Sequence, residues 1–579
     1  MNERTPLDLE TRSADDLYRL PPRTLDYVRL IGIGPRVHEA GAVLHWPRDA
    51  GPYVTVNGNY FDFPALDRHC GIPVESTIPF SRDLRVAAFQ HDPPTTYQTK
   101  SGPGFKSYSL DALGERYLGI PKSDLGKQLA TEYGGWDNIP VDDPRYVKYC
   151  HDDLELTAQL DAVIPYHPYE QREAWVSAIT ARATLSGFRV DLPGLYERAH
   201  ELQERARKGK ALLQSYGFPL TNEAGKPAAA PQRTKKGKAA LFAALESAGF
   251  PVHRWPVGKD GTLQLGKEIV EAAHARAVAD YPQAVTLIEA VQTMNGIRNT
   301  AENILRCVSG DRVHPQFLPF QNTKRWSVLE PGLTVAKKGV PDSERMFLLA
   351  DPGDVLVSID LDQIDIRCVA AHSQDHNLID ILNDPERDIH SEVSLMAFGS
   401  AEGKHRHHAK SLDLGWLYGR TVNGLAQTPG MTREIAVRVD ESMRSQFGQV
   451  MSWQHDVRDR GKAGLLLDNG FGGQLRVEQD RAFTQAPGVM GQSTTRELIA
   501  EGLLDLARTA PEVLPMLRMI VHDEVVASVP REHAEEVARI IQGCMSRSWA
   551  PAGASRPVSI TAGQGKPFVF AERWGALYM

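Results

Sequence analysis

Three short stretches in the second half of the chain carry side chains suited to phosphate chemistry. Ile359-Asp360-Leu-Asp-Gln-Ile-Asp-Ile-Arg367 closes an apolar, β-rich run with a carboxylate and starts a helix at once. A carboxylate at a strand end is held rigidly, as a metal ligand must be, whereas Asp362 taken alone reads as a helix cap. Val521-His522-Asp523-Glu524 puts two adjacent acids in a polar turn between two apolar strands. If that hairpin lies beside the first strand, Asp360 and Asp523 can share divalent ions. Carboxylates holding two metals about 3.5–4 Å apart suit in-line phosphoryl displacement. Arg406, Lys410, Leu414 and Tyr418 are spaced by four. Each step drifts about 40°, so all four fit one helical stripe roughly 120° wide. The stripe runs from two cations through an aliphatic residue to an aromatic. A nucleoside triphosphate has the matching order of phosphates, sugar and base. Taken alone, the same stripe reads as a surface helix with a basic end and a buried Leu/Tyr edge.

A second set of acids lies near the N-terminus. Asp8 and Glu10 are two apart, so on a strand both face one site. Asn57-Gly-Asn-Tyr-Phe-Asp62 brings an acid after a strand-like segment, and Tyr149 and Asp153, four apart, share a face of a predicted helix. Each of these is weak in isolation; the last alone is an ordinary amphipathic helix.

These side chains need an α/β scaffold. Residues 1–165 alternate short apolar runs with turn-rich stretches. Residues 170–305 turn helical and charged, opened by Asp191-Leu-Pro193, with Leu195, Ala199, Leu202 and Ala206 at helical spacing. A loop over 215–235 leads into Arg233, Lys235, Lys236 and Lys238, a run that by itself reads as a solvated face. Strands return at about 311, residues 376–505 are again mostly helical, and residues 518–529 form two strands around a turn. The last three blocks suggest one sheet interrupted by a helical excursion. At 579 residues the chain should hold three to five domains. Lys+Arg of 65 against Asp+Glu of 73 gives −8, which excludes a uniformly basic nucleic-acid binder but not a basic groove. Five cysteines without a C-x-x-C pair, no apolar run of membrane length and no signal-peptide core indicate a cytoplasmic protein.

In this order, the three C-terminal stretches resemble the motifs of family A DNA polymerases, the bacterial DNA polymerase I group. Asp388-Ile-His390 with Phe398-Gly, and Arg325-Trp-Ser with Pro331-Gly-Leu, are similar to further segments of that family, with Lys324 where the family has glycine. The resemblance implies a right-hand polymerase in which Asp360, Leu361 and Asp523 bind two Mg²⁺ ions, Glu524 supports them, and His522 lies against the primer end. It implies nucleotide contacts at Gln363, Asp365, His390, Arg406, Lys410, Leu414 and Tyr418, with Lys410 protonating pyrophosphate. DNA contacts are implied at Arg325, Gln492, Arg233, Lys235, Lys236 and Lys238. Three departures stand out: Leu414 replaces an aromatic ring, Asp365 replaces Glu at the ribose gate, and Asn469-Gly-Phe-Gly-Gly-Gln-Leu475 replaces a G-R-R-R-like run. Gln492-Ser-Thr-Thr-Arg-Glu497 also differs from the family's Q-G-T-A-A-D.

The N-terminal acids resemble the D-x-E, N-x-x-x-(x)-D and Y-x-x-x-D motifs of proofreading 3′–5′ exonucleases with a ribonuclease-H-like fold. That resemblance implies Asp8, Glu10, Asp62 and Asp153 around two divalent ions, Mg²⁺ or Mn²⁺, with Tyr149 orienting the attacking water. Asp152 competes with Asp153, but only Asp153 keeps the spacing. The implied α/β multidomain layout is exonuclease 1–165, thumb 166–310, palm 311–375, fingers 376–504 and palm again 505–579. With the exonuclease at the start there is no room for a 5′-nuclease domain, which resembles bacteriophage replicative enzymes. Such an enzyme is expected to act as a monomer on primer-template DNA and dNTPs in the host cytoplasm; the sequence leaves open whether a helicase, a primase or a single-strand-binding protein works beside it. Two other readings are a single-subunit RNA polymerase, which shares the palm motifs, and a catalytically silent DNA-binding scaffold. The N-terminal acids and Asp365 argue against the first, and retention of every candidate metal ligand argues against the second.

Overall fold

Leu7 and Leu9 alternate with Asp8 and Glu10 along strand β1 (Thr5–Thr11), so one face of the strand is apolar and the other acidic. In the computed structural model, which describes residues 4–39, 51–95, 106–258, 261–297, 300–428 and 431–579, β1 is the middle of a five-stranded sheet. The other strands are β2 (Val28–Ile33), β3 (Arg36–Glu39), β4 (Tyr53–Thr55) and β5 (Ser81–Asp83), in the order β3-β2-β1-β4-β5. β1, β2 and β3 pair antiparallel; β1, β4 and β5 pair parallel. The apolar face packs Leu7 and Leu9 against Tyr27, Phe63 and Leu66. Helix α1 (Pro144–Val163) crosses the acidic side, with Asp143 capping it by accepting from the Arg145 N–H. Gly32 in β2 allows this approach, because a Cβ there would lie 2.5 Å from Leu154 Cδ1.

Helix α2 (Tyr169–Ser186) buries polar as well as apolar residues. The chain divides into two compact units, residues 190–306 and the remainder, and α2 lies in the larger one. The smaller unit opens with α3 (Leu192–Ser215), capped by Asp191, and contains α4 (Lys235–Ser247), capped by Thr234. Its core gathers Leu213, Leu241, Leu245, Phe250, Trp255, Leu287, Ile288 and Val291.

A second sheet collects β6 (Asp354–Asp360), β7 (Leu517–Val521), β8 (Glu524–Pro530) and β9 (Phe570–Ala571) in the antiparallel order β7-β8-β6-β9. The helical excursion between β6 and β7 includes α5 (Ile364–Ser373), α6 (Ile389–Phe398), α7 (Lys404–Leu417) and α8 (Ala482–Thr509). The expected single interrupted sheet is therefore present. A buried charged hub ties α2 to α8. Arg496, fully buried, donates to Glu173 and Glu497, and Tyr169 donates to Glu497. Such a hub adds little net stability when intact, but breaking one partner costs about 3–5 kcal/mol.

Candidate active sites

The β6–β8 register sets the first site. Asp360 pairs directly with Glu524, and the Leu361 N–H donates 3.0 Å to the Asp523 carbonyl. The two acids widely separated in sequence thus meet at one end of the sheet. His522 takes φ +55° in the tight turn and is exposed. Loss of surrounding water, and then the neighbouring Asp523 carboxylate, raise the Asp360 pKa to about 7 against the opposing pull of Lys338. Burial likewise raises Asp523. Asp360 Oδ1 is buried and receives no hydrogen bond from any described residue. Two crowded carboxylates with an unused buried oxygen fit a divalent cation, which would remove both penalties. Glu524 is otherwise engaged: it accepts from Ser358 Oγ at 2.6 Å and from the Tyr578 hydroxyl, and Lys338 Nζ lies 3.3 Å away. The Lys338 ammonium also sits 4.5 Å from the centre of the Tyr578 ring.

The cationic helix is real but one residue shorter than its motif. α7 ends at Leu417, and Tyr418 is its C-cap. Gly419 follows at φ +83°, where a Cβ would fall 1.9 Å from Arg458 Nη2, so glycine is required there. Lys410 is exposed and Leu414 half-buried. Arg406 is not free: it donates twice to Asp388, at 2.8 and 3.1 Å, and Gln363 donates to the same acid at 2.8 Å. Burial would raise Asp388, but hydrogen bonds from Arg406 and Ser391 outweigh it and bring its pKa to about 2. His390 Nδ1 is held by the buried Asp413. Tyr418 packs on Gly491 of α8, where a Cβ would lie 2.8 Å from the ring. Asp365 accepts from Arg325 at 3.0 Å and Thr495 at 2.9 Å. Gln492 is half-buried on α8.

Two departures turn inward. Lys324 takes φ +57°, the left-handed conformation a glycine adopts without strain. Its side chain is buried, donates to Gln90 Oε1 at 2.8 Å and lies over the Phe89 and Tyr169 rings. Burial lowers its pKa to about 8. Residues 469–475 form a small hairpin that is packed rather than extended to solvent. Asn469 is buried and donates to Ser493 and Glu497, while Phe471 stacks on Trp549 at 5.1 Å.

The second site lies between β1 and α1. Asp8 and Glu10 project from β1, and Asp62 reaches the same strand by accepting from the Leu9 N–H at 3.2 Å. Asp153 of α1 is buried, whereas its competitor Asp152 is turned out and paired with Lys148. Burial and then the Asp153 charge raise Asp8 to about 7; burial followed by the Asp8 charge raises Glu10 and Asp62 well above the usual range. Four acids that cannot all ionise unaided fit divalent cations, and Asp8, Glu10 and the Cys150 thiol already have ligand atoms within 4.8 Å of one another. Tyr149 is buried beside Trp136, with Gly126 leaving room for its ring. Sequence reasoning missed Lys122 here: its Nζ lies 2.5 Å from Asp153 Oδ2 and 4.8 Å from the centre of the Tyr149 ring. It stands in an irregular Gly-Ile-Pro-Lys turn that neither periodicity nor motif spacing singles out.

In the smaller unit, Arg233, Lys235 and Lys236 are exposed around the first turn of α4, and Lys238 donates to Thr262 at 2.9 Å. Arg233 donates to Asn295 at 3.2 Å.

Residues 234–568 match the model of DNA polymerase family A. The chain belongs to that family. The DNA polymerase of Mycobacterium phage D29 is 27% identical over 574 residues, covering 94% of this chain and 86% of its own. The thermostable DNA polymerase I of Thermus thermophilus is 25% identical over 479 residues, 79% of this chain and 54% of its own. Among solved structures, the POL domain of Pol1 from M. smegmatis, in complex with DNA primer-template and dNTP, shares the fold. It aligns over 100% of this chain and 96% of its own with a TM-score of 0.70 and 17% identity. Among the described residues no helix is long and apolar enough to cross a membrane.

Proposed function

We propose that this family A polymerase extends a DNA primer on a template from dNTPs at the β6–β8 site and removes 3′-terminal nucleotides at the β1–α1 site. The observation that carries the synthetic half is the meeting of Asp360 and Asp523 at one sheet end, with a buried, unused Asp360 oxygen. The proposed layout is exonuclease 1–165, thumb 166–310, palm 311–375 and 505–579, and fingers 376–504. A role in phage genome replication accords with the phage D29 relative.

Asp360, Asp523 and the Leu361 main chain would hold Mg²⁺. When bound, the ions lower the pKa of the primer 3′-hydroxyl and neutralise charge growing on the phosphates. Glu524, held by Ser358 and Tyr578, supports the cluster rather than ligating directly. Asp413 engages His390 Nδ1, which leaves Nε2 to meet a phosphate oxygen. Arg406 exchanges part of its Asp388 contact for the triphosphate, and exposed Lys410 donates a proton to pyrophosphate. Tyr418 closes over the nascent base pair, and Leu414 faces the sugar. Asp365, pinned by Arg325 and Thr495, excludes a ribose 2′-hydroxyl. His522 and Gln492 contact primer and template. Arg233, Lys235, Lys236 and Lys238 crowd a helix N-terminus, where the helix dipole disfavours cations, so a DNA phosphate there relieves the strain.

At the second site Asp8, Glu10, Asp62 and Asp153 would hold two divalent ions, and Tyr149 orients the attacking water. The antiparallel-then-parallel sheet β3-β2-β1-β4-β5 supports a ribonuclease-H-like domain. A labelled primer-template with Mg²⁺ tests both halves: lengthening with dNTPs and shortening from the 3′ end without them are expected. No lengthening would overturn the synthetic half, and no shortening the exonuclease half.

A further inference from the structure

Lys122 stands at a built position. Its N–H donates 3.0 Å to Asp111 Oδ1, and the Ile120 N–H donates to the Gly114 carbonyl, so the turn after helix Leu110–Leu118 is fixed. Its side chain keeps 29% exposure while the carboxylate it meets, Asp153, is 2% exposed. Lys122 therefore lies between the acids and a cavity of about 510 Å³. Asp8 lines that cavity together with Arg85, Lys106, Tyr108 and Phe320. Cations with aromatic faces suit a single-stranded nucleic-acid end, the bases stacking and the phosphates paired.

Charge accounting gives the lysine its task. Four ionised carboxylates and two divalent ions cancel. A phosphodiester entering the site brings one negative charge and gains another as hydroxide adds to phosphorus. Nothing among the acids or ions balances that gain. The Lys122 ammonium is already within ion-pair distance of the cluster and borders the cavity.

Resting on the exonuclease reading above, we propose that Lys122 is a catalytic residue of the β1–α1 site. Its ammonium pairs with a non-bridging oxygen of the 3′-terminal phosphodiester and stabilises the extra charge of the transition state. Water adds to phosphorus and the P–O3′ bond breaks. A proton passes to the departing 3′-oxygen through solvent, giving a nucleoside 5′-monophosphate and a shortened strand with a 3′-hydroxyl. Lys122 stays protonated throughout. The Tyr149 ring, 4.8 Å away, holds the ammonium over its face without removing its charge.

The test uses the full chain. Lys122→Ala should slow shortening of a single-stranded oligonucleotide roughly 100-fold, mainly in kcat, and Lys122→Arg should restore much of it. Primer extension by the same protein serves as the folding control. Binding is then read by fluorescence anisotropy in EDTA, with an ordinary oligonucleotide and with one whose last linkage is an uncharged methylphosphonate. Wild type should prefer the ordinary oligonucleotide roughly tenfold, and Lys122→Ala should lose that preference. Shortening at the wild-type rate, or an equal loss on both oligonucleotides, would overturn the proposal and leave Lys122 a structural ion pair. If wild type does not shorten DNA, or Asp8→Ala shortens it equally well, the exonuclease reading itself fails.

Discussion

Each carboxylate cluster places a lysine ammonium over a tyrosine ring and beside an acid: Lys122 with Tyr149 and Asp153, Lys338 with Tyr578 and Glu524. The clusters differ in depth. At the β1–α1 site Glu10, Asp62 and Asp153 are all buried, and burial first, then the neighbouring carboxylate charges, raise the pKa of Asp8, Glu10 and Asp62. At the β6–β8 site Asp360 and Asp523 are half-buried, and only Glu524 is sealed in, by Ser358 and Tyr578. A deep cluster of four acids suits a site that must hold its ions without help from the substrate. An open pair of acids suits one that shares its ions with an incoming triphosphate, since Mg²⁺ is commonly bound by one or two carboxylates plus substrate phosphates.

The largest effects should separate the two clusters outright. Asp360→Asn or Asp523→Asn should reduce primer extension on the order of 10³-fold or more while shortening persists, and Asp8→Ala should do the reverse. Loss of both activities from one change, measured on the same labelled primer, would break the picture of independent sites. Next come the tyrosines. Tyr149→Phe should slow shortening roughly 10–100-fold if its hydroxyl orients the attacking water as proposed. Tyr578→Phe, which removes the hydrogen bond to Glu524 and the one Trp574 Nε1 donates to the same hydroxyl, should slow extension less than tenfold.

Depth should also show in stability. The folded-state pKa of Asp8 and of Asp360, each about 7, lies above the unfolded value near 3.8, so each group's contribution is full below about pH 4 and lost as pH rises through 7. Without metal, the melting temperature should therefore fall as pH rises from about 4 to about 7, and Mg²⁺ should restore it at pH 8. Glu10→Gln, at a buried acid whose pKa burial raises, should raise the metal-free melting temperature at pH 8 by a few degrees, on the order of 1 kcal/mol, and more than Asp523→Asn does. Equal shifts in differential scanning fluorimetry would remove depth as the distinction. The smallest change should come from Leu414→Tyr, expected to alter the ratio of dideoxynucleotide to dNTP incorporation with little effect on extension rate. An unchanged ratio would take Leu414 away from the sugar.

Much of this was legible in the order of residues. Strand alternation put Asp8 and Glu10 on one face, the polar turn at 522–523 marked a hairpin, and Asp191-Leu-Pro193 marked a helix start. Those are local rules: side-chain period, turn chemistry and capping act over a few residues and need no partner. Motif spacing also singled out Asp153 over Asp152; Asp153 is buried, and Asp152 is paired with Lys148.

Other features lay beyond any local rule. Lys324 stands where the family has glycine, yet its side chain is enclosed by Phe89, Gln90 and Tyr169, more than 150 residues away along the chain. Arg406 carries the expected charge, but its pairing with Asp388 depends on how α6 meets α7. Lys122 has no spacing signal because a turn, not a helix or strand, carries it to Asp153. The sequence by itself determined which residue types were available, in which order, and on which face of each strand or helix they stand. Only the tertiary structure decided which charges meet and how much water remains around them. Ion-pair strength and carboxylate pKa depend on distance and surrounding dielectric, and both are set by long-range packing rather than by neighbours in the chain.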